Sequence, residues 1–187
     1  MKVQRGRYPW RIRGRELSLG VRTAVMGVLD VAAASSPDSA TAVEDTVEGV
    51  LKMQAQGADL VDLTPQPSVD SPTLISADEE LRRLVPLLRK LRERLDIPVS
   101  VTTCHADTAE RSLALGANVI NDWSGLSFDP RMAEVINQHN AGLVIGHARG
   151  TPESWRRQPP LPDVMRIIKR DLDSALGRAR GAGIDRR

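Results

Sequence analysis

Gly116-Ala117-Asn118-Val119-Ile120-Asn121-Asp122-Trp123-Ser124-Gly125 is the stretch from which the fold is read. Gly116 closes an amphipathic segment that carries Ala109, Leu113 and Leu115. Val119 and Ile120 then begin a short buried strand that ends on an amide and a carboxylate, Asn121 and Asp122. Polar groups at the carboxyl end of a buried strand point to a site, because α/β folds gather their ligands there.

The same pattern recurs on both sides. Apolar runs of strand length occupy Ala24 to Val31, Ala58 to Leu63, Pro98 to Thr103, Val119 to Asp122 and Gly142 to His147, and all five read as buried on both faces. Helical periodicity separates them. It runs through Val43, Val47, Val50 and Leu51; through Leu81, Leu84, Val85, Leu88, Leu91 and Leu95; through Ala109 to Leu115; and through Met132, Val135 and Ile136. A last helix is expected from Asp163 to about Ala179. Asp78 and Asp107 are expected as N-caps, Gly57 and Gly116 as residues just past C-termini, and Asp129-Pro130 as a helix start. Alternation of strand and helix means parallel pairing through right-handed crossovers. A doubly wound sheet and a (β/α)₈ barrel that stops early both satisfy the spacing.

Composition narrows the function. The 187 residues hold 26 Lys+Arg against 24 Asp+Glu, a formal charge of +2 that gives no argument for nucleic acid. Aromatics are 3% of a 41% hydrophobic chain, so the core is built from Val, Leu, Ile, Ala and Met. The one cysteine, Cys104, excludes an internal disulfide, and no apolar run approaches the roughly 18 residues of a membrane span. A cytoplasmic location is expected, with no nucleic acid and no membrane as partners. Residues 1–22 read as a basic leader, a solvated tail carrying Arg5, Arg7, Arg11, Arg13 and Arg15, and 23–187 as the folded domain.

Three stretches resemble the dihydropteroate synthase family of pterin-binding (β/α)₈ barrels: Val25-Met26-Gly27-Val28-Leu29-Asp30-Val31, Asn121-Asp122-Trp123-Ser124-Gly125, and Val144-Ile145-Gly146-His147-Ala148-Arg149-Gly150-Thr151-Pro152. Gln56 to Asp62 and Val99 to Thr103 support them, and the five occur in family order. The resemblance implies the TIM-barrel fold class, with about the first five β/α units present. It also implies folate-biosynthetic chemistry, the condensation of a hydroxymethyl-dihydropterin pyrophosphate with p-aminobenzoate, with Mg²⁺ assisting. Asn121 matches the family's pterin-pairing asparagine, and an amide suits a flat heterocycle because it offers donor and acceptor in one plane.

The departures from the family pattern imply impaired catalysis. Asp30 stands where the family has an asparagine that contacts metal and pyrophosphate, so Asp30 is the expected substrate and metal residue, able to offer Mg²⁺ a hard oxygen. Thr102 stands where the family has a pterin-pairing aspartate, and a charged hydrogen bond of about 1.5–3 kcal/mol is lost with it. The loop Thr64 to Asp70 lacks the family's arginine, and the lysine, aspartate and arginine-histidine pair of its last three strands have no counterpart. A non-catalytic interaction protein derived from the family is the alternative. An open barrel would leave Val25, Val28, Val61, Val99, Val101, Ile120 and Val144 on an uncovered inner surface, so self-association into a dimer, or pairing with a homologue, is expected. Asp122 is read with Asn121 as a site group at the strand end, His147 as structural, Arg149 as a surface arginine, and Cys104 beside His105 as an inert neighbour pair.

Overall fold

The computed structural model describes residues 6–31, 39–66, 73–155 and 157–185. The leader is the first surprise. Strands β1 (Tyr8–Ile12) and β2 (Arg15–Leu19) form an antiparallel hairpin, in register from Tyr8↔Leu19 to Ile12↔Arg15. Its two-residue turn has positive φ at both Arg13 (45°) and Gly14 (77°), the geometry that matches the twist of paired strands. The expected solvated tail is therefore corrected for these residues, whereas Arg5 lies outside the described residues.

Five parallel strands follow, β3 (Met26–Asp30), β4 (Leu60–Thr64), β5 (Val99–Thr102), β6 (Val119–Asp122) and β7 (Gly142–Ile145), in the spatial order β3-β4-β5-β6-β7. Sequential order without a reversal is the winding of a barrel, since a doubly wound sheet must turn back at a switch point. The helices are α1 (Ala40–Ala55), α2 (Ala77–Leu91), α3 (Ala106–Ala114), α4 (Met132–Gln138), the short α5 (Pro152–Trp155) and α6 (Val164–Gly181). None of them is long and apolar enough to cross a membrane among the described residues.

Helix starts differ in detail from the sequence reading. Ser76, not Asp78, caps α2 through the amide of Glu79. Asp107 sits inside the first turn of α3, whose first amide, Ala106 N, is bound by Asp129 instead. A helix chooses the hydroxyl or carboxylate that reaches its free amides, and Ser76 and Asp129 are the ones in reach. Asp163 caps α6 as expected, and Gly57 and Gly116 hold the positive φ that ends α1 and α3.

Which face is inner is settled by register. Val61, Leu63, Val99, Val101 and Ile120 join the core cluster with Val47, Leu84, Leu88, Leu113, Met132 and Ile136 of the helices. The aligned set Val28↔Asp62↔Ser100↔Val119↔Gly142 faces the opposite way, into the barrel. Val61, Val99, Val101 and Ile120 are thus corrected from inner surface to helix side. A strand's period of two makes a parity error move a whole set at once. Val25 and Val28 are exposed as anticipated, at 53% and 56%, and β3 is exposed at Met26, Val28 and Asp30 rather than buried on both faces, because these three share the inner face.

The hairpin plugs the bottom of this inner face. A side chain on Gly142 would start 2.4 Å from an Ile12 methyl and 3.0 Å from both the Trp10 ring and Val119. Arg13 anchors the plug: its amide donates to Asn140 O at 3.1 Å and its guanidinium to Leu113 O and Ala117 O, the latter at 2.8 Å.

Candidate functional site

The carboxyl ends of β4, β5 and β6 carry one continuous polar network on the inner face. Asp62 is its centre, 1% exposed in the middle of β4. Its Oδ1 accepts from Ser100 Oγ at 2.5 Å. Its Oδ2 accepts from Thr102 Oγ1 at 2.5 Å and from Thr64 Oγ1 at 3.2 Å. Asn121 Nδ2 in turn donates to Thr102 Oγ1 at 3.0 Å. The chain of donors therefore runs from amide to hydroxyl to carboxylate. Burying a carboxylate costs free energy unless donors satisfy its oxygens, and three hydroxyls converge on this one.

The sequence-predicted residues thus divide. Asn121 and Thr102 meet directly, whereas Asp30 ends β3 in register with Thr64, three strands from Asn121, or roughly 14 Å across the sheet at the usual strand spacing. Asp62 and Ser100 were missed because they sit inside apolar runs. The signal was available, since a carboxylate in Leu60-Val61-Asp62-Leu63 on a buried strand demands a partner.

Thr102 does not take the place of a carboxylate at the mouth. Its single proton is committed to Asp62, so it offers an incoming ligand only a lone pair. Asn121 enters the network through its Nδ2, and the acceptor of its amide is the Oδ1.

Asp122 points to the helix side. It accepts from Ser124 N (2.8 Å), Ser124 Oγ (2.7 Å) and Leu126 N (2.8 Å), folding the Trp123–Gly125 turn, and burial pushes its carboxyl above the usual range. Gly146 must approach this turn closely: a Cβ there would lie 2.5 Å from the Trp123 Cα. His147 Nε2 lies 3.1 Å from Asp171 Oδ2 and fastens α6 to the end of β7, and Arg149 donates to Pro159 O at 2.9 Å. Cys104 is fully buried, and burial, then the charges of Glu80 and Asp122, raise its thiol far above the range of reactive cysteines.

The loop after β4 is held at its ends, although 67–72 lie outside the described residues, as do 32–38 after β3. Gln66 bonds Thr73 O and Ile75 N, His105 Nε2 lies 3.0 Å from Ile75 O, and Glu153 Oε1 accepts from Leu74 N at 2.5 Å. That last contact reaches from α5 to the segment entering α2, so the loop is tied across the top of the sheet.

For a metal, no group of three or more His, Cys, Asp or Glu side chains gathers among the described residues. Of the two strand carboxylates that face inward among the described residues, Asp62 is taken up by Ser100, Thr102 and Thr64, and Asp30 is the other. One carboxylate fits Mg²⁺ shared with substrate phosphates and water, and does not fit a protein-built cage.

The profile of the family described as pterin binding enzyme matches residues 26–187. The chain belongs to this family of pterin-binding enzymes. Among its relatives, the dihydropteroate synthase of Bacillus subtilis is 32% identical over 171 residues, 90% of this chain and 58% of that protein. Among solved structures, the Xanthomonas albilineans dihydropteroate synthase with 4-aminobenzoic acid superposes with a TM-score of 0.82 at 30% identity, covering 95% of this chain and 63% of that one. The Clostridium difficile dihydropteroate synthase in the presence of pteroic acid gives 0.80 at 32%, covering 89% and 62%. The chain therefore spans about three fifths of the length of these relatives, and its five strands are the first five units of the family's pterin-binding barrel.

Proposed function

We propose that this chain is a pterin-binding member of the dihydropteroate synthase-like proteins in which the condensation with p-aminobenzoate is lost. The observation that carries the reading is the Asn121–Thr102–Asp62 relay at the carboxyl ends of three adjacent strands. Asn121 accepts from the amino or ring N–H edge of the pterin through its Oδ1, while the relay fixes the amide's orientation. Asp62 supplies negative charge below the ring without touching it, because Ser100, Thr102 and Thr64 stand between.

Asp30 is the residue that would hold Mg²⁺, together with the pyrophosphate of a pterin substrate. The ion would supply charge neutralisation to the departing pyrophosphate. Positioning of a second substrate is what the chain lacks, since Thr64 to Asp70 bring no arginine and Thr102 brings no charge. Loss of orientation and of electrostatic stabilisation together removes the main sources of rate.

Two measurements test this. Pterin should raise the melting temperature of the chain, and Asn121→Leu should abolish that shift while leaving the circular dichroism spectrum unchanged. Incubation with the pterin pyrophosphate and p-aminobenzoate should give no pteroate. Product formation above background that Asn121→Ala removes would overturn the loss of catalysis, and an undiminished pterin shift in Asn121→Leu would overturn the site.

A further inference from the structure

Tryptophan is scarce in this chain, three in 187 residues, and two of the three stand together at the mouth of the site. Trp123 lies two residues beyond Asn121, just past the end of β6, and Trp155 is the last residue of α5. Their ring centroids are 5.8 Å apart and the rings are inclined at 86°, edge to face. Two indoles at a right angle make a corner. A flat ring entering it stacks on one and meets the other edge-on, the two arrangements that aromatic quadrupoles favour.

The corner opens on the inner face. Side chains alternate along a strand, and here Asn121 joins the inner network while Asp122 turns to the helices, so Trp123 returns to the side of Asn121. Trp155 meets it from the connection that follows β7 and is 36% exposed, whereas Trp123 is half-buried. The position of α5 is fixed by groups other than the Trp155 ring. Glu153 Oε1 accepts from Leu74 N at 2.5 Å, across the mouth, and Ser154 Oγ closes the turn on Thr151 N at 3.0 Å and Thr151 O at 2.8 Å. The Trp155 indole N–H donates to Gly150 O at 3.4 Å, which turns the polar edge of the ring into its own loop.

We infer that Trp123 and Trp155 are the specificity wall of the site: the flat ring whose edge Asn121 bonds lies in their corner, and the contact selects a fused two-ring heterocycle. The inference rests on the Asn121 reading above and supplies what an amide cannot. The edge that Asn121 bonds, an amino group beside a ring N–H, belongs to the pyrimidinone half of a pterin. The single ring 2-aminopyrimidin-4-one carries the same edge, so the amide does not tell the two apart. Aromatic contact with the second ring does.

Titration calorimetry with 6-hydroxymethylpterin, and with 2-aminopyrimidin-4-one competing against it, tests the wall. Wild type should prefer the two-ring ligand. Trp123→Ala and Trp155→Ala should each weaken that ligand by about 5- to 100-fold, the range of one base stacked on an aromatic side chain, and leave the affinity for the single ring unchanged. Trp155→Ala is the cleaner variant, because Glu153 and Ser154 keep α5 in place without the indole, and Trp155→Phe should restore most of the preference. Equal losses for both ligands, or undiminished pterin binding in Trp155→Ala, overturn the wall. Asn121→Leu separates this result from the earlier reading, since it should lose both ligands. If it keeps both while Trp155→Ala loses the preference, the Asn121 contact falls and the wall stands. A wild type that binds neither ligand overturns both.

Discussion

Thr102 Oγ1 donates its only proton to Asp62 Oδ2 at 2.5 Å, so the uncharged side chain at the mouth is bonded to a carboxylate one strand away. That carboxylate lies one layer below Thr102.

Thr102→Asp should bring that charge back to the surface. Pterin binding should tighten by about 10- to 100-fold, the range of one charge-assisted hydrogen bond. The unliganded protein should lose stability, because two carboxylates would then adjoin and share a proton. Titration calorimetry with the pterin and a thermal melt without it check the two halves. Weaker binding in the variant would contradict the orientation assigned to the relay.

Gly142→Ala should destabilise the fold by about 1–3 kcal/mol, the cost of overpacking a filled space. The added methyl meets Ile12 and Trp10 of the hairpin as well as Val119. Urea unfolding gives the number, and Ile12→Ala in the same chain should restore part of the loss. No recovery would mean that the hairpin does not seat at Gly142.

Glu80 and Glu79 are adjacent and should respond to pH in opposite senses. Burial raises the Glu80 carboxyl above its usual 4.5, offset in part by the Thr103 hydroxyl at 2.6 Å and the charges of His105 and Arg83. The native state then holds the Glu80 proton more tightly than the unfolded state, so this group's contribution falls as pH rises from 4.5 through the raised value. Glu79, bonded by Arg82 and Arg83, is lowered to about 2, and its contribution is lost as pH falls from 4.5 toward 2. The melting temperature of wild type minus that of Glu80→Gln should decline with pH above 4.5. For Glu79→Gln the same difference should decline below it. Parallel curves would refute both assignments.

Cys104 should remain unmodified by a thiol reagent in the native protein at neutral pH and react at once in urea, since it is fully buried and its ionisation is strongly disfavoured. Rapid labelling under native conditions would show that the β5–α3 junction opens readily.

The strands and helices are legible because each obeys one periodicity, and the family motifs set them in barrel order. The face of each strand is not. Apolarity alone puts Val61, Val99 and Ile120 inward, yet the inner positions are held by Asp62, Ser100 and Asn121, whose burial is tolerated because Ser100 bonds Asp62 and Thr102 links Asn121 to it. The hairpin was hidden by its arginines, which read as a tail although Trp10, Ile12, Leu17 and Leu19 alternate around a two-residue turn. Long-range partners such as Leu113 O and Asn140 O leave no trace in local sequence.

That hairpin also orders events on the ribosome. Its strands emerge before the barrel units, but Gly142 and Asn140, against which Ile12 and Arg13 lodge, are made more than 120 residues later. At about 5–20 residues per second, the interval is on the order of ten seconds. Throughout it, Trp10 and Ile12 are without their seat while the β/α units behind them form from nearer neighbours. A nascent chain arrested before Asn140 should therefore show solvent-exposed emission from Trp10, and one arrested well past Ile145 should not.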